Sequence, residues 1–375
     1  MADLDLPGAP AHPRKSSRFL RLMAAPGFQS WASRTPFLRR IVRREGEAMF
    51  DLVAGFCHSQ ILQAFVSFDI PAMLLDTELN TRAIAARCQA PEARITVLMQ
   101  AAQSLHLVRK RRGGDYRLTV RGAALAGVPG LAGMIKHHDV LYRDLADPVG
   151  FFRGAGAGEL AAFWPYVFGA GAAENPETAQ TYSKLMADSQ TLVAADTLAT
   201  ICFKDTRRLM DVGGGTGAFL AAVGARYPNL TMTLFDLPAV APHAAKRFAD
   251  AGLSARTTIH PGSFRDDPLP QGADTISLVR VLYDHGDDTV RGLLGAVHQA
   301  LPKGGRLVIS EPMTGSGTPE RAGDAYFALY CMAMGTGTAR SQSRIAELAR
   351  EAGFSDISTP RARRPFVTSI VTGVK

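Results

Sequence analysis

Apolar and polar positions alternate along this chain in three regimes. Up to about residue 45, apolar residues (Phe19, Leu20, Leu22, Met23, Phe28, Trp31, Phe37, Leu38, Ile41) interleave with bases (Arg14, Lys15, Arg18, Arg21, Arg34, Arg39, Arg40, Arg43, Arg44). From 46 to 76 the apolar positions Phe50, Leu52, Val53, Phe56, Ile61, Leu62, Phe65 and Val66 predict one or two buried helices ending near Pro71. Thr81 is a good N-cap for a helix through Ile84 and Ala85, and Pro91 opens another carrying Ile95, Val97, Leu98, Met99, Ala102 and Leu105. Leu107–Lys110 and Tyr116–Thr119 flank Gly113-Gly114, which predicts a hairpin. Two short helices followed by a hairpin suggest a winged helix.

From Arg208 the pattern switches to alternating strands and helices. Short apolar strands are expected at Leu209–Val212, Met232–Phe235, near Thr257–Ile259, at Thr275–Val281 and at Arg306–Ser310. Helices are expected from Ala218 to about Arg226 and around 240–251. This βα alternation implies a mostly parallel sheet with right-handed crossovers. The fold class expected is an α/β Rossmann-like domain behind a mostly helical winged-helix dimerisation domain. The expected domains are an amphipathic arm (1–45), the winged-helix-like domain (46–130), a helical connector and pocket region (131–205) and the Rossmann-like domain (206–375).

Between residues 127 and 180 the chain is rich in Gly, Ala and aromatics: Phe151, Phe152, Phe163, Trp164, Tyr166 and Phe168. Such a stretch is either core or the wall of an apolar pocket. With 46% hydrophobic and 20% charged residues, the composition suits a globular protein with a real core. No run of 18 or more apolar residues predicts a membrane span, and no secretory signal is legible. Cys57, Cys88, Cys202 and Cys331 are scattered without a CxxC, which predicts reduced core thiols in a cytosolic protein and no metal site. The net charge of +8 draws attention to the basic arm. It can pack on a partner subunit or lie on an anionic membrane surface, where basic and aromatic residues are favoured together. A charge of this kind also suits nucleic acid, and Arg109–Arg112 lie in the supposed wing.

The most specific chemistry is in the second half. Gly213-Gly214-Gly215-Thr216-Gly217 follows the first strand, and glycines without Cβ let main-chain N–H groups and a helix N-terminus approach a ligand. Asp236, at the tip of the second strand, is placed to accept hydrogen bonds from a ribose. Together they predict an adenosine ligand. Gly213, Gly215 and Ala218 also fit a dinucleotide fingerprint, but Asp211 precedes the first glycine by two residues, suiting an ammonium group rather than a pyrophosphate. There is also no Tyr-x-x-x-Lys pair for hydride transfer.

The ordered segments Asp211–Gly217, Phe235–Pro238, Gly262–Phe264, Arg280–Asp287, Pro302–Gly305 and Ile309–Pro312 resemble the caffeate/acetylserotonin-type O-methyltransferases over roughly residues 46–375. Within that family, Arg18–Leu22, Phe28–Ala32 and Phe50–Phe56 look like the carotenoid branch of purple phototrophic bacteria, the hydroxyneurosporene/demethylspheroidene O-methyltransferases. The resemblance implies S-adenosylmethionine as cofactor, held by Asp211, Gly213, Gly214, Gly215, Asp236, Leu237, Ser263, Phe264 and Arg280. It implies a homodimer and methylation of a tertiary hydroxyl on an acyclic carotenoid, with no nucleic acid bound.

The chain departs from the family at its catalytic triplet. The family's His-Asp-Trp reads Tyr283-Asp284-His285, so Tyr stands where the base would be. Glu311 matches the Glu that orients that base; a second family Glu falls on Ala339, and the adenine-contacting Asp falls on Ser263. The catalytic candidates are therefore Tyr283, Glu311 and His285. A Tyr with an ordinary pKa near 10 is a poor base, so Tyr283 is expected to orient the substrate or to pass a proton toward Glu311 or water. It can equally be an ordinary pocket Tyr. His285 is expected at adenine first and in catalysis second, since two residues along a helix start is a turn of about 200°. Two rivals stay open. One is C-methylation of a tetrapyrrole precursor. The other is a winged-helix DNA-binding regulator with a vestigial cofactor site, which the intact glycine loop and Asp236 weigh against.

Overall fold

A computed structural model describes residues 16–154, 158–163 and 176–375. The chain forms two compact units, one of residues 1–68 with 79–116 and one of 69–78 with 117–375. The segment expected as a connector, 131–205, belongs to the second unit.

The first unit opens with helices α1 (Ser16–Ala24), α2 (Pro26–Arg34) and α3 (Pro36–Ser67), the last two begun by a proline in their first turn. The expectation of buried helices after residue 46 is corrected here. In α3 only Phe65 and Val66 are buried, while Met49, Phe50, Leu52, Val53 and Phe56 are each more than half exposed. Among the described residues nothing covers these side chains. Among the described residues α3 is also the one helix long and apolar enough to cross a membrane by length and composition.

After α4 (Ile70–Met73), which lies in the second unit, the first unit resumes with α5 (Thr81–Cys88), α6 (Glu92–Ser104) and β1 (Val108–Lys110), and ends at Tyr116, the first residue of the hairpin's other strand β2 (Tyr116–Leu118). The cap of α5 is Asn80 rather than Thr81: its side chain accepts the Ala83 N–H at 2.9 Å. The hairpin turns at Gly113-Gly114 as expected, with Gly114 at φ +96°.

In the second unit, α7 (Val120–Gly127), α8 (Leu131–Asp144), α9 (Pro148–Phe152), α10 (Glu159–Phe163) and α11 (Pro176–Thr200) precede the sheet. Leu141 of α8 and Leu160 of α10 pack with Tyr330, Ala333 and Met334. Part of the aromatic stretch is therefore core. Trp164, Tyr166 and Phe168 lie outside the described residues.

The strands are β3 (Arg208–Val212), β4 (Thr231–Asp236), β5 (Thr257–Pro261), β6 (Thr275–Val279), β7 (Arg306–Glu311), β8 (Ser355–Ser358) and β9 (Ser369–Val374), in the order β5-β4-β3-β6-β7-β9-β8. The first five of these run parallel to one another, and β9 runs antiparallel to β7 and β8. Helices α12 (Ala218–Arg226), α13 (Ala241–Asp250), α14 (Asp287–Ala300), α15 (Ala328–Met334) and α16 (Gln342–Glu351) complete it. Every residue of β6 is buried, which explains its uninterrupted Thr-Ile-Ser-Leu-Val. Burying Ile276, Leu278 and Val279 contributes about 1.5–3 kcal/mol each. Strand order reverses at β3, so the crevice beyond the C-terminal ends of β3 and β6 is where this architecture places a ligand.

All four cysteines are free thiols as expected, but only Cys331 lies in the core. It is buried, whereas Cys57 and Cys202 are exposed and Cys88 is half-buried. Cys57 sits on the uncovered α3 and Cys202 in the loop before β3.

Candidate active site

The glycine loop leaves β3 where the strand order reverses, between Val212 and α12. The Gly213 N–H donates to the Phe235 carbonyl at 2.8 Å, which ties the loop to β4. A Cβ on Gly214 would stand 2.5 Å from Asp211 Oδ2, so only glycine fits against that carboxylate. Gly215 has φ +59° and faces open space. Asp236 is half-buried, and its carboxylate accepts the N–H of Gly215 at 2.6 Å and of Leu237 at 2.7 Å.

Asp211 is fully buried. The register opposite β6 places Ser277 beside it, and Ser277 Oγ donates to Oδ1 at 2.6 Å. Oδ2 has no hydrogen-bond partner among the described residues. Burial pushes this carboxyl up to about 7, with the Ser277 bond opposing and Asp236 adding to the rise. A buried carboxylate with one unsatisfied oxygen attracts a cation.

At the next strand end, Ser263 is engaged with two acids from its own turn. Its N–H donates to Asp267 Oδ2 at 2.8 Å and its Oγ to Asp266 Oδ2 at 2.9 Å. Phe264 packs edge-on against His285 at 5.3 Å between centroids. His285 is buried, and its Nδ1 lies 3.1 Å from Arg265 Nη2. Burial, then Arg265 and Arg340, lower its pKa to about 4, so the imidazole is neutral near neutral pH. The helical-rotation argument for His285 does not apply: residues 282–284 form a 3₁₀ turn and His285 itself is extended at φ −128°, ψ 152°. Even so, His285 and Tyr283 meet different partners.

Arg280 adopts φ +60°, and its N–H donates to the Ser310 carbonyl at 2.9 Å. Its guanidinium donates to Ser189 Oγ at 2.7 Å and to the Tyr283 hydroxyl oxygen at 3.2 Å. Tyr283 is buried, and burial raises its pKa further above the ordinary phenol value, against a lowering by Arg280. Its phenol stays protonated. Glu311 turns to the backbone: Oε2 accepts the N–H of Leu282 at 2.9 Å and of Tyr283 at 3.3 Å. Its Oε1 has no partner among the described residues, and burial pushes the carboxyl up to about 7.

Sequence reasoning passed over Arg340, whose buried guanidinium binds the other side of the same turn. It donates to the carbonyls of Leu282 at 2.9 Å and His285 at 2.8 Å, and to Asp287 Oδ1 at 2.8 Å. Its one sequence signal was its place beside Ala339 in the family's second Glu motif. Ser189, on α11, carried no signal.

Residues 142–355 match the family described as the O-methyltransferase domain. The chain is 53% identical over 356 residues to demethylspheroidene O-methyltransferase of Cereibacter sphaeroides, covering 95% of this chain and 94% of the relative. It is 51% identical over 366 residues to the protein of the same name from Rhodobacter capsulatus, covering 97% and 91%. Human N-acetylserotonin methyltransferase, solved in complex with S-adenosylmethionine, has the same fold, with a TM-score of 0.74 at 23% identity over 88% of this chain and 97% of that one.

Proposed function

The chain belongs to the S-adenosylmethionine-dependent O-methyltransferase family, and from that membership we propose that it methylates the tertiary hydroxyl of an acyclic carotenoid. The observation that carries the substrate class is the near full-length identity to two relatives named for demethylspheroidene.

The residues at the end of β3 suit the cofactor. The unsatisfied Asp211 Oδ2 beside Gly214 calls for a cationic ammonium group, and the open face of Gly215 admits a ligand against the backbone. Asp236 has used one acceptor direction on each oxygen for Gly215 and Leu237, which leaves room for two ribose hydroxyls. Gly213, Leu237, Ser263, Phe264 and Arg280 complete the set we assign to the cofactor's surroundings. When bound, the cofactor supplies an electrophilic methyl group on a sulfonium.

What this chain contributes is placement. In-line geometry with reacting atoms at about 3–3.5 Å can remove about 7–11 kcal/mol of the barrier, and a tertiary alcohol is too weak an acid to be ionised first. Arg280 holds the Tyr283 hydroxyl, while Glu311 and Arg340 hold the backbone of its turn from opposite sides. Tyr283 in this reading orients the substrate oxygen, and His285 lies toward adenine.

Two further features concern partners. The uncovered face of α3, from Met49 to Phe56, suits a second copy of this chain, giving a homodimer. The basic and aromatic residues of α1, α2 and early α3 suit an anionic membrane surface, where so apolar a substrate dissolves. Phe19, Leu20, Trp31 and Phe37 are exposed, although Arg43 and Arg44 share charge with Glu47 and Glu45. We place the protein in the cytoplasm, peripheral to the inner membrane.

The reading is tested by incubating the enzyme and S-adenosylmethionine with a hydroxylated acyclic carotenoid or a tetrapyrrole precursor, then separating the pigments by chromatography. A new, less polar carotenoid is expected; a modified tetrapyrrole with unchanged carotenoid would contradict it.

A further inference from the structure

Tyr283 is held as a phenol and His285 lies against Arg265, while Glu311 is buried with its Oε2 committed to the backbone of the turn beneath Tyr283. A second set of groups is arranged to receive the substrate's proton. Helix α8 carries His137 and His138 side by side. Opposite them, a turn of π-helix (Arg321–Phe327) runs into α15 and presents Tyr326 and Tyr330, four residues apart. His138 Nε2 lies 2.6 Å from Tyr326 Oη, and His137 Nε2 lies 3.0 Å from Tyr330 Oη. π-Helical turns are rare and are frequently found at functional sites. This one is pinned at its start, where Asp324 Oδ2 accepts the N–H groups of Gly315 at 2.8 Å and Glu320 at 2.7 Å.

We propose that Tyr326 and His138 form a relay that takes the proton from the substrate oxygen as the methyl group is transferred. The inference rests on the reading above that the acceptor is a hydroxyl. Two observations favour this pair over His137 and Tyr330. Its hydrogen bond is shorter, and Tyr326 and His138 are both half-buried whereas Tyr330 is buried. The π-turn that carries Tyr326 runs into α15, and α15 packs against the 282–284 turn that holds Tyr283, so the pair adjoins the turn that orients the substrate.

The chemistry balances. A lone pair of the substrate oxygen forms the bond to the methyl carbon while the carbon–sulfur bond breaks and its electrons stay on sulfur. The oxygen, now bearing three bonds, is a far stronger acid than the alcohol was. It gives its proton to Tyr326 Oη, which passes its own to His138 Nε2; the imidazolium later returns that proton to water. Burial, with His137 adding to it, lowers His138 to about 4, so the imidazole is free to accept near neutral pH and readily gives the proton up. So weak a base suffices because the proton leaves after the new bond has begun to form. The groups facing His138 are His137 and Tyr142 on its own helix and Tyr326 across from it, and the charge of Arg280 opposes the rise that burial gives the Tyr326 phenol.

The test uses the full chain with Tyr326→Phe, which keeps the ring, and His138→Gln, which keeps a polar side chain, separately and together. For each single variant kcat should fall about 10- to 100-fold, with the KM for the hydroxylated substrate changed by less than about threefold. S-adenosylmethionine affinity by calorimetry should be unchanged. The double variant should be no slower than the worse single one, since a relay fails as a unit. The solvent deuterium isotope effect on kcat should change in the single variants, which a packing role would not cause. Folded single variants with wild-type kcat would overturn the relay. So would variants that lose activity only in step with cofactor affinity, or effects that multiply in the double variant. If the wild-type enzyme methylates a hydroxyl and Tyr326→Phe does so equally well, the relay alone fails. If the wild type methylates no hydroxyl, the relay falls together with the reading it rests on.

Discussion

Arg280 donates a hydrogen bond to the hydroxyl oxygen of Tyr283 at 3.2 Å, so the group standing where the family keeps a basic imidazole is itself held by a cation. Both the bond and the burial keep the phenol in one orientation and protonated near neutral pH. Tyr283→Phe retains the ring and removes only that contact. Turnover should fall about 10- to 100-fold, or about 1.4–2.7 kcal/mol, evenly across pH 6–9. Steady-state rates equal to wild type would show that the hydroxyl has no part in orienting the substrate.

Asp236 joins the glycine loop to the end of β4 through the Gly215 and Leu237 N–H groups. Asp236→Ala should therefore weaken S-adenosylmethionine binding by about 1–3 kcal/mol, from unpaired ribose hydroxyls and a loosened loop. Asp236→Asn, which keeps one acceptor oxygen, should lose less. Calorimetry that finds unchanged affinity for Asp236→Ala removes Asp236 from the cofactor site.

Glu311 makes a prediction about pH and stability. Its folded pKa, about 7, lies above the ordinary 4.5, so between those values the folded state holds the proton more tightly than the unfolded chain. Wild-type stability from this group is present below about pH 4.5 and is lost as pH rises through about 7. Glu311→Gln keeps an oxygen for the Leu282 and Tyr283 N–H groups and removes the titration. Relative to wild type, the variant should gain on the order of 1–3 kcal/mol between pH 4.5 and 8 in urea denaturation. Parallel stability curves for the two proteins would mean that the buried carboxyl carries no such shift.

How much of this was legible in the sequence follows the range of each contact. The strands, the glycine loop and Asp236 were readable because a strand, its turn and the next strand's tip lie close along the chain. Glu311 was readable as a position but not as a partner of backbone N–H groups at Leu282 and Tyr283, since nothing local marks a carboxylate for that task. Arg340, Ser189 and the pairing of His138 with Tyr326 depend on contacts across 55, 91 and 188 residues, which only the folded chain brings together. The exposed face of α3 misled the reading in another way. Its apolar pattern was correct, but a helical pattern cannot say whether the cover is intramolecular.

That face leads to a prediction on assembly. If a second copy covers Met49–Phe56, light scattering should report a dimer at micromolar concentration, and Phe50→Glu with Phe56→Glu should yield monomers. Removing residues 1–34 should leave the dimer intact and reduce co-sedimentation with anionic vesicles, the more so at low salt. A wild-type monomer with full activity would refute the first, and undiminished vesicle binding the second.

The central claim is methyl transfer to the oxygen of a hydroxylated acyclic carotenoid. The most direct measurement supplies the enzyme with S-adenosylmethionine labelled in its methyl carbon and a tertiary-alcohol carotenoid, then locates the label in the purified product by NMR. A single labelled methoxy carbon is expected, bonded through oxygen to the tertiary carbon, with a strong reduction in Tyr283→Phe. A label on carbon, or none in the carotenoid while the enzyme binds its cofactor normally, would contradict it.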